Sequence, residues 1–183
     1  MKIEIRKLDK GELAGKMDDF AYTSDGTYRL SLKRTSDGWE IALRKEPFPE
    51  TFVKDLNEPL LKPYKGETEV YAAFAGGTEA GLIQIEHQAW NNSIRVWDIS
   101  VDESRRRMGV GTELLDVAKK RARELGARRI VLETQTSNLK AIDFYLANGF
   151  ELVGFDATSY SNEDVERGEV RLEMAWRPDS LKP

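Results

Sequence analysis

The segment from Ile94 to Leu125 constrains the fold more than any other part of the chain. The run Ile94-Arg95-Val96-Trp97-Asp98-Ile99-Ser100-Val101 reads as an apolar strand. Arg105-Arg106-Arg107-Met108-Gly109-Val110-Gly111-Thr112 follows it, and then Leu114, Ala118, Ala122 and Leu125 recur at helical spacing along one side. The pattern is strand, basic glycine-bearing turn, helix. The glycines allow a tight turn and a close approach of a ligand to the amides. A helix start presents unpaired N–H groups and partial positive charge, and the arginines add full charge. That combination suits a pyrophosphate. The spacing Arg106-x-x-Gly109-x-Gly111 is neither a Walker A loop, which needs Gly-Lys-Ser/Thr, nor the three-glycine dinucleotide fingerprint. A plain turn with solvated arginines is the alternative, and these few residues alone do not decide between the two.

At 183 residues the chain suffices for one domain, expected over 1–183. It has no cysteine, which excludes disulfides, thiolate catalysis and cysteine zinc sites and fits a cytoplasmic protein. No His/Asp/Glu cluster suggests a metal. Met1-Lys2-Ile3-Glu4-Ile5 lacks a signal-peptide core and no apolar run reaches membrane-spanning length, so no membrane is expected. The net charge of −4 argues against a nucleic-acid partner and is compatible with a cationic one.

Lys2–Leu8 alternates as a strand, and Asp9 is placed to cap a helix running to about Phe20. Residues 21–27 read as a loop. Tyr28–Lys33 and Trp39–Arg44 alternate around Thr35-Ser36-Asp37-Gly38, a hairpin signal. Pro47 and Pro49 are expected to open a helix through Leu56, extending as far as Leu61. Glu69–Ala75 and Ala80–Ala89 flank Gly76-Gly77 as a second hairpin. Helix Gly111–Leu125 stops at Gly126. Arg129–Thr134 reads as a buried strand, Ser137 or Asn138 caps a helix ended by Gly149, and Phe150–Phe155 and Glu169–Trp176 are the last strands. The four tryptophans are assigned to the core by default.

Further along stands Asn138-Leu139-Lys140-Ala141-Ile142-Asp143-Phe144-Tyr145-Leu146-Ala147-Asn148-Gly149-Phe150. Together with Arg106-x-x-Gly109-x-Gly111, the positions Asn138, Ala141, Phe144, Tyr145, Gly149 and Phe150 resemble the GNAT superfamily of N-acetyltransferases over roughly Glu69–Trp176. The resemblance implies an α/β (α+β) fold: a mixed central sheet with splayed parallel strands, flanked by helices, here with an extra N-terminal hairpin. It implies acetyl-CoA as co-substrate and no metal. Its pantetheine arm would pair with the open edge of Ile99-Ser100-Val101. Its pyrophosphate would sit at Arg106, Arg107, Met108, Gly109, Val110, Gly111 and Thr112, with Asn138 completing the set.

Acetyl transfer to an amine needs a carboxylate to hold the ammonium and take its proton, and a donor for the departing thiolate. Tyr145 stands where many GNAT enzymes place that donor; a core tyrosine with a structural role is the alternative. Glu133 matches the position of a general base in some members, and Asp98 and Glu86 are the other carboxylates considered. Trp97 beside Asp98, with Glu86 and Tyr160, would line the acceptor side. The lone His87 is expected to be structural or solvated.

Tyr160-Ser161-Asn162, Leu132-Glu133-Thr134-Gln135 and Trp97–Val101 are similar to the streptothricin acetyltransferases, which acetylate an amine on the β-lysine arm of a cationic antibiotic. The acidic run Glu163–Glu166 would suit a cation, or is a solvated face. Three readings therefore stand: transfer to a small cationic amine, transfer to a protein or peptide amine, and a non-catalytic acetyl-CoA-binding module. Many GNAT proteins dimerise, so a homodimer is compatible.

Overall fold

The computed structural model describes residues 2–178; Met1 and 179–183, the ends of the expected domain span, lie outside the described residues. Among the described residues, nine strands and four helices follow in chain order: β1 Ile3–Lys7, α1 Lys10–Leu13, β2 Met17–Arg34, β3 Trp39–Pro59, β4 Thr68–Ala75, β5 Thr78–Gln88, β6 Ser93–Val101, α2 Val110–Glu124, β7 Arg129–Gln135, α3 Leu139–Ala147, β8 Glu151–Asp156, α4 Asp164–Arg167 and β9 Arg171–Trp176, with a 3-10 turn at Glu103–Arg105. A mixed seven-stranded sheet has the order β1-β4-β5-β6-β7-β9-β8, and β2 and β3 form a separate two-stranded sheet.

The chain divides into two compact units. The first draws on residues 2–20, 56–132 and 175–178, the second on 21–55 and 133–174. In the first, β4, β5 and β6 are antiparallel neighbours, β1 pairs with β4, and β6 pairs parallel with β7. Helix α2 packs across β1, β4, β5 and β6. Its Leu114, Leu115, Ala118 and Ala122 are fully buried. Leu125, expected on the same stripe, lies past the last turn and is exposed; Leu115 takes its place in the core.

In the second unit, Asn138 caps α3, its Oδ1 accepting from Ala141 N at 3.2 Å. Gly149 at φ 81° ends that helix, as its residue type suggested. Thr136 Oγ1 accepts from Val170 N at 2.9 Å and donates to Gly168 O at 2.9 Å, while Thr27 Oγ1 donates to the same carbonyl at 2.7 Å. These buried hydroxyls satisfy backbone groups that have no ladder partner.

Three expected elements fail here. The helix begun by the Asp9–Glu12 capping box lasts one turn, because Gly15 takes φ 71° and turns the chain into β2. Residues 21–27 are strand, not loop: Tyr22, Ser24 and Gly26 alternate inward, but two of the three are not apolar, so the period was invisible. The expected helix after Pro47 is the second half of β3. Phe48 and Phe52 stack at 5.3 Å, a four-residue spacing that a strand and a helix share. Prolines are tolerated there because a two-stranded sheet is all edge. Among the tryptophans, Trp176 is buried, whereas Trp39 and Trp90 are 66% and 84% exposed, against the core default.

Candidate active site

Strand β6 changes character halfway. Its ladder with β7 runs from Ser93↔Arg129 to Val96↔Leu132 and then stops. Its ladder with β5 steps from Val96↔Ile85 to Asp98↔Gln84, leaving Trp97 as the extra residue of a bulge. A bulge bends its strand and raises the local twist, so the parallel ladder ends where the bend begins. Ser93–Val96 are buried and Trp97–Val101 half-buried. Ile99-Ser100-Val101 thus keeps β5 on one side and offers an open backbone edge on the other. Gly81 opposes Val101 from β5, and an added Cβ there would lie 2.5 Å from Ser100 O; only glycine lets the strands approach so closely.

The chain then passes the 3-10 turn and enters α2 through two left-handed residues, Arg107 at φ 62° and Gly109 at φ 86°. Gly109 is the N-cap and has no side chain with which to cap the first amides of α2. Arg106 Nε donates to Val101 O at 3.4 Å, tying the turn to the end of β6. Arg106, Arg107 and Met108 are exposed, Val110 is core and Thr112 is exposed. The first unit therefore brings the whole expected cofactor set except Asn138 together: an open strand edge leading to uncapped helix amides under arginines. A long thiol ester with a pyrophosphate fits this combination. Asn138, on the second unit, spends its side-chain oxygen on the α3 cap.

Around the bulge, Lys65 is buried and its Nζ donates to Leu60 O at 3.1 Å, to Gln84 Oε1 at 2.9 Å and to Asp98 Oδ2. Asp98 is thereby held in an ion pair. Glu86 accepts from Trp97 Nε1 at 2.8 Å. The Trp97 ring has Tyr64 edge-on at 5.9 Å, Arg95 at 5.3 Å and Lys65 at 6.0 Å. Lys65 and Tyr64 carried no sequence signal: both lie in a Pro- and Gly-rich loop with no periodicity. His87 is exposed and bonds Asn92 within its own hairpin at 3.1 Å.

On the second unit, Glu133 Oε1 accepts from the Tyr160 hydroxyl at 2.7 Å, and Arg171 Nε lies 3.3 Å from its Oε2. Arg171 is shared with Glu173 at 2.6 Å. Tyr145 is 7% exposed, between Phe144 at 5.4 Å and Phe150 at 5.9 Å. Burial pushes its hydroxyl well above the usual tyrosine range, so it stays protonated. Among the described residues that hydroxyl has no hydrogen-bond partner. The acidic run is not an open anionic face: Asp164 is buried and accepts from Tyr160 N and Ser161 Oγ, and Glu163 pairs with Arg167 at 3.3 Å.

An open strand edge running into arginine-flanked helix amides, on a mixed sheet, is the arrangement that the resemblance to a coenzyme-A-dependent acyltransferase implies. The acetyltransferase (GNAT) family model matches residues 36–150, and the chain belongs to that family. It is an acetyl-CoA-dependent N-acetyltransferase. Over 165 residues it is 30% identical to the streptothricin acetyltransferase of Streptomyces lavendulae, covering 86% of this chain and 85% of that one. The crystal structure of a putative streptothricin acetyltransferase from Bacillus anthracis in complex with acetyl coenzyme A matches with a TM-score of 0.76 at 30% identity, covering 98% of this chain and 100% of that one. An aminoglycoside 6'-N-acetyltransferase with coenzyme A matches at a TM-score of 0.54 and 18% identity, covering 64% of this chain.

Proposed function

We propose that the enzyme acetylates a primary amine of a small, streptothricin-like cationic acceptor. One observation carries this reading. The streptothricin acetyltransferase structure aligns with 98% of the chain, so the N-terminal hairpin has its counterpart there, whereas the aminoglycoside enzyme leaves about a third of the chain unmatched. Of the other readings, a protein or peptide acceptor has no comparable support.

Acetyl-CoA supplies the acetyl group as a thioester. In this reading Ile99–Val101 take its arm as an added strand, and the amides from Arg107 to Thr112 take its pyrophosphate, with Arg106 and Arg107 supplying charge. A lysine-type amine, with a pKa near ~10.4, arrives as an ammonium and must lose a proton before it can attack. Asp98 is neutralised by Lys65 and Glu86 already accepts from an indole. Glu133 accepts from the Tyr160 hydroxyl at one oxygen and stands beside the Arg171 guanidinium at the other. Glu133 matches the position of the general base in some family members and is assigned to take the proton, with Trp97 and Asp98 assigned to the acceptor. Tyr145, protonated and with its hydroxyl uncommitted, is the donor to the departing thiolate.

The test is Glu133→Gln in a coupled thiol-release assay with streptothricin. Turnover should fall most near neutral pH, and the loss should shrink as rising pH deprotonates the amine unaided. A loss that stays constant with pH would make Glu133 a binding group only.

A further inference from the structure

The N-terminal hairpin needs a reason to be where it is, and its strand β3 supplies one residue to the surroundings of Glu133. Lys54, three-quarters covered, forms an ion pair with Glu169, whose side chain is 13% exposed. The same ammonium stands 5.5 Å from the centre of the Tyr160 ring. A cation over an aromatic face attracts it and fixes its plane. The far end of that ring is equally fixed: the Tyr160 hydroxyl accepts from Gln135 Nε2 at 3.0 Å and donates to Glu133 Oε1 at 2.7 Å. With its one proton committed to Glu133, Tyr160 is a dedicated donor. Burial and the Glu133 charge both keep the hydroxyl protonated, far above the usual tyrosine range. Glu133 has the Tyr160 hydroxyl at one oxygen and the Arg171 guanidinium at the other, so the direction of the carboxylate is set from both sides.

We propose that Tyr160 is a positioning residue for Glu133 rather than an acceptor contact, and that Lys54 makes the N-terminal hairpin part of this arrangement by holding the Tyr160 ring. The chain Lys54–Tyr160–Glu133 links the N-terminal hairpin to the carboxylate assigned to the amine. The inference rests on the role of Glu133 proposed above.

The experiment is a double-mutant cycle on kcat and KM with streptothricin as acceptor, using wild type, Glu133→Gln, Tyr160→Phe and the double variant. Tyr160→Phe removes one hydroxyl from a ring that is 41% exposed and leaves packing unchanged. It should lower kcat roughly 10-fold, the scale of one hydrogen bond to a charged group, with KM for acetyl-CoA unchanged. In the Glu133→Gln background the same change should cost almost nothing further. Lys54→Gln should lower kcat in wild type and not in Tyr160→Phe. Multiplicative losses, or a Tyr160→Phe variant with wild-type kcat, would overturn the inference while leaving Glu133 in its role. A Glu133→Gln variant with normal kcat would instead overturn the role proposed for Glu133, and the inference with it. Thermal unfolding of the same four proteins reads the contact without any acceptor: additive changes in melting temperature would show that Tyr160 and Glu133 are uncoupled and would refute the proposal.

Discussion

Gly81→Ala puts the open edge of β6 to the test with a single methyl group. The new Cβ would sit 2.5 Å from Ser100 O and 3.1 Å from Val101 Cα, with Leu114 Cδ1 at 3.4 Å behind it. Real Cβ contacts do not fall below 3.0 Å, so Ser100 O must retreat by about half an ångström, and strand backbone cannot swing aside as a flexible side chain would. Overpacking of this kind costs about 1–3 kcal/mol, and replacing a strand glycine returns about 0.5–1 kcal/mol. A net loss of about 1–2 kcal/mol lowers the melting temperature by roughly 3–6 °C in a chain of this size. The displaced backbone is the edge assigned to the pantetheine arm. Spoiling one of its hydrogen bonds costs about 1 kcal/mol, a roughly five-fold weaker acetyl-CoA affinity. Differential scanning fluorimetry and isothermal calorimetry read the two effects. Gly38→Ala, where an added Cβ meets nothing within 4 Å, is the control for losing a glycine. Unchanged melting would refute the packing analysis. Lower melting with unchanged affinity would refute the assignment of Ile99–Val101 to the cofactor.

Two further outcomes are expected. Tyr145→Phe should reduce turnover by roughly 10²-fold or more with acetyl-CoA affinity intact, since a general acid contributes on that scale; near-normal turnover would return the ring to a purely structural role. Glu69 is pushed up by partial burial, but hydrogen bonds from Tyr71, Arg121 and Lys7 outweigh this and hold it at about 2. A carboxylate depressed in the folded state stabilises fully above its unfolded pKa and loses that contribution as pH falls through the folded one. Glu69→Gln should therefore cost about 2 kcal/mol at neutral pH after allowance for solvent screening, with the gap from wild type closing between pH ~4.5 and ~2; a gap independent of pH would refute the linkage.

The common core was legible because its signals are local. Leu114, Ala118 and Ala122 repeat at the helical period, Gly109, Gly126 and Gly149 all take the left-handed conformations their places demand, and Asn138 caps as its residue type suggests. The N-terminal third was legible only at its first strand, its Asp9 cap and its Thr35–Gly38 turn. Its inward positions include Ser24 and Gly26, which carry no apolar side chain and are joined by a local hydrogen bond from Ser24 Oγ to Gly26 O, and Phe48 and Phe52 sit four apart in a strand. The cofactor edge was likewise readable as a motif, while its cause was not: the bulge at Trp97 and the close approach of Gly81 exist only between paired strands. The tie of Asp98 to Lys65 and that of Glu133 to Tyr160 join residues 33 and 27 positions apart, and no periodicity links such distances.

The most direct measurement of the central claim compares kcat/KM for streptothricin, spermidine and a lysine-containing peptide in one thiol-release assay, with the acetylated nitrogen located by mass spectrometry. The account predicts that streptothricin is preferred by at least about 10²-fold, a difference of about 2.7 kcal/mol in transition-state binding, and that the acetyl group lands on an amine of its β-lysine arm. Equal or faster transfer to the peptide would contradict it.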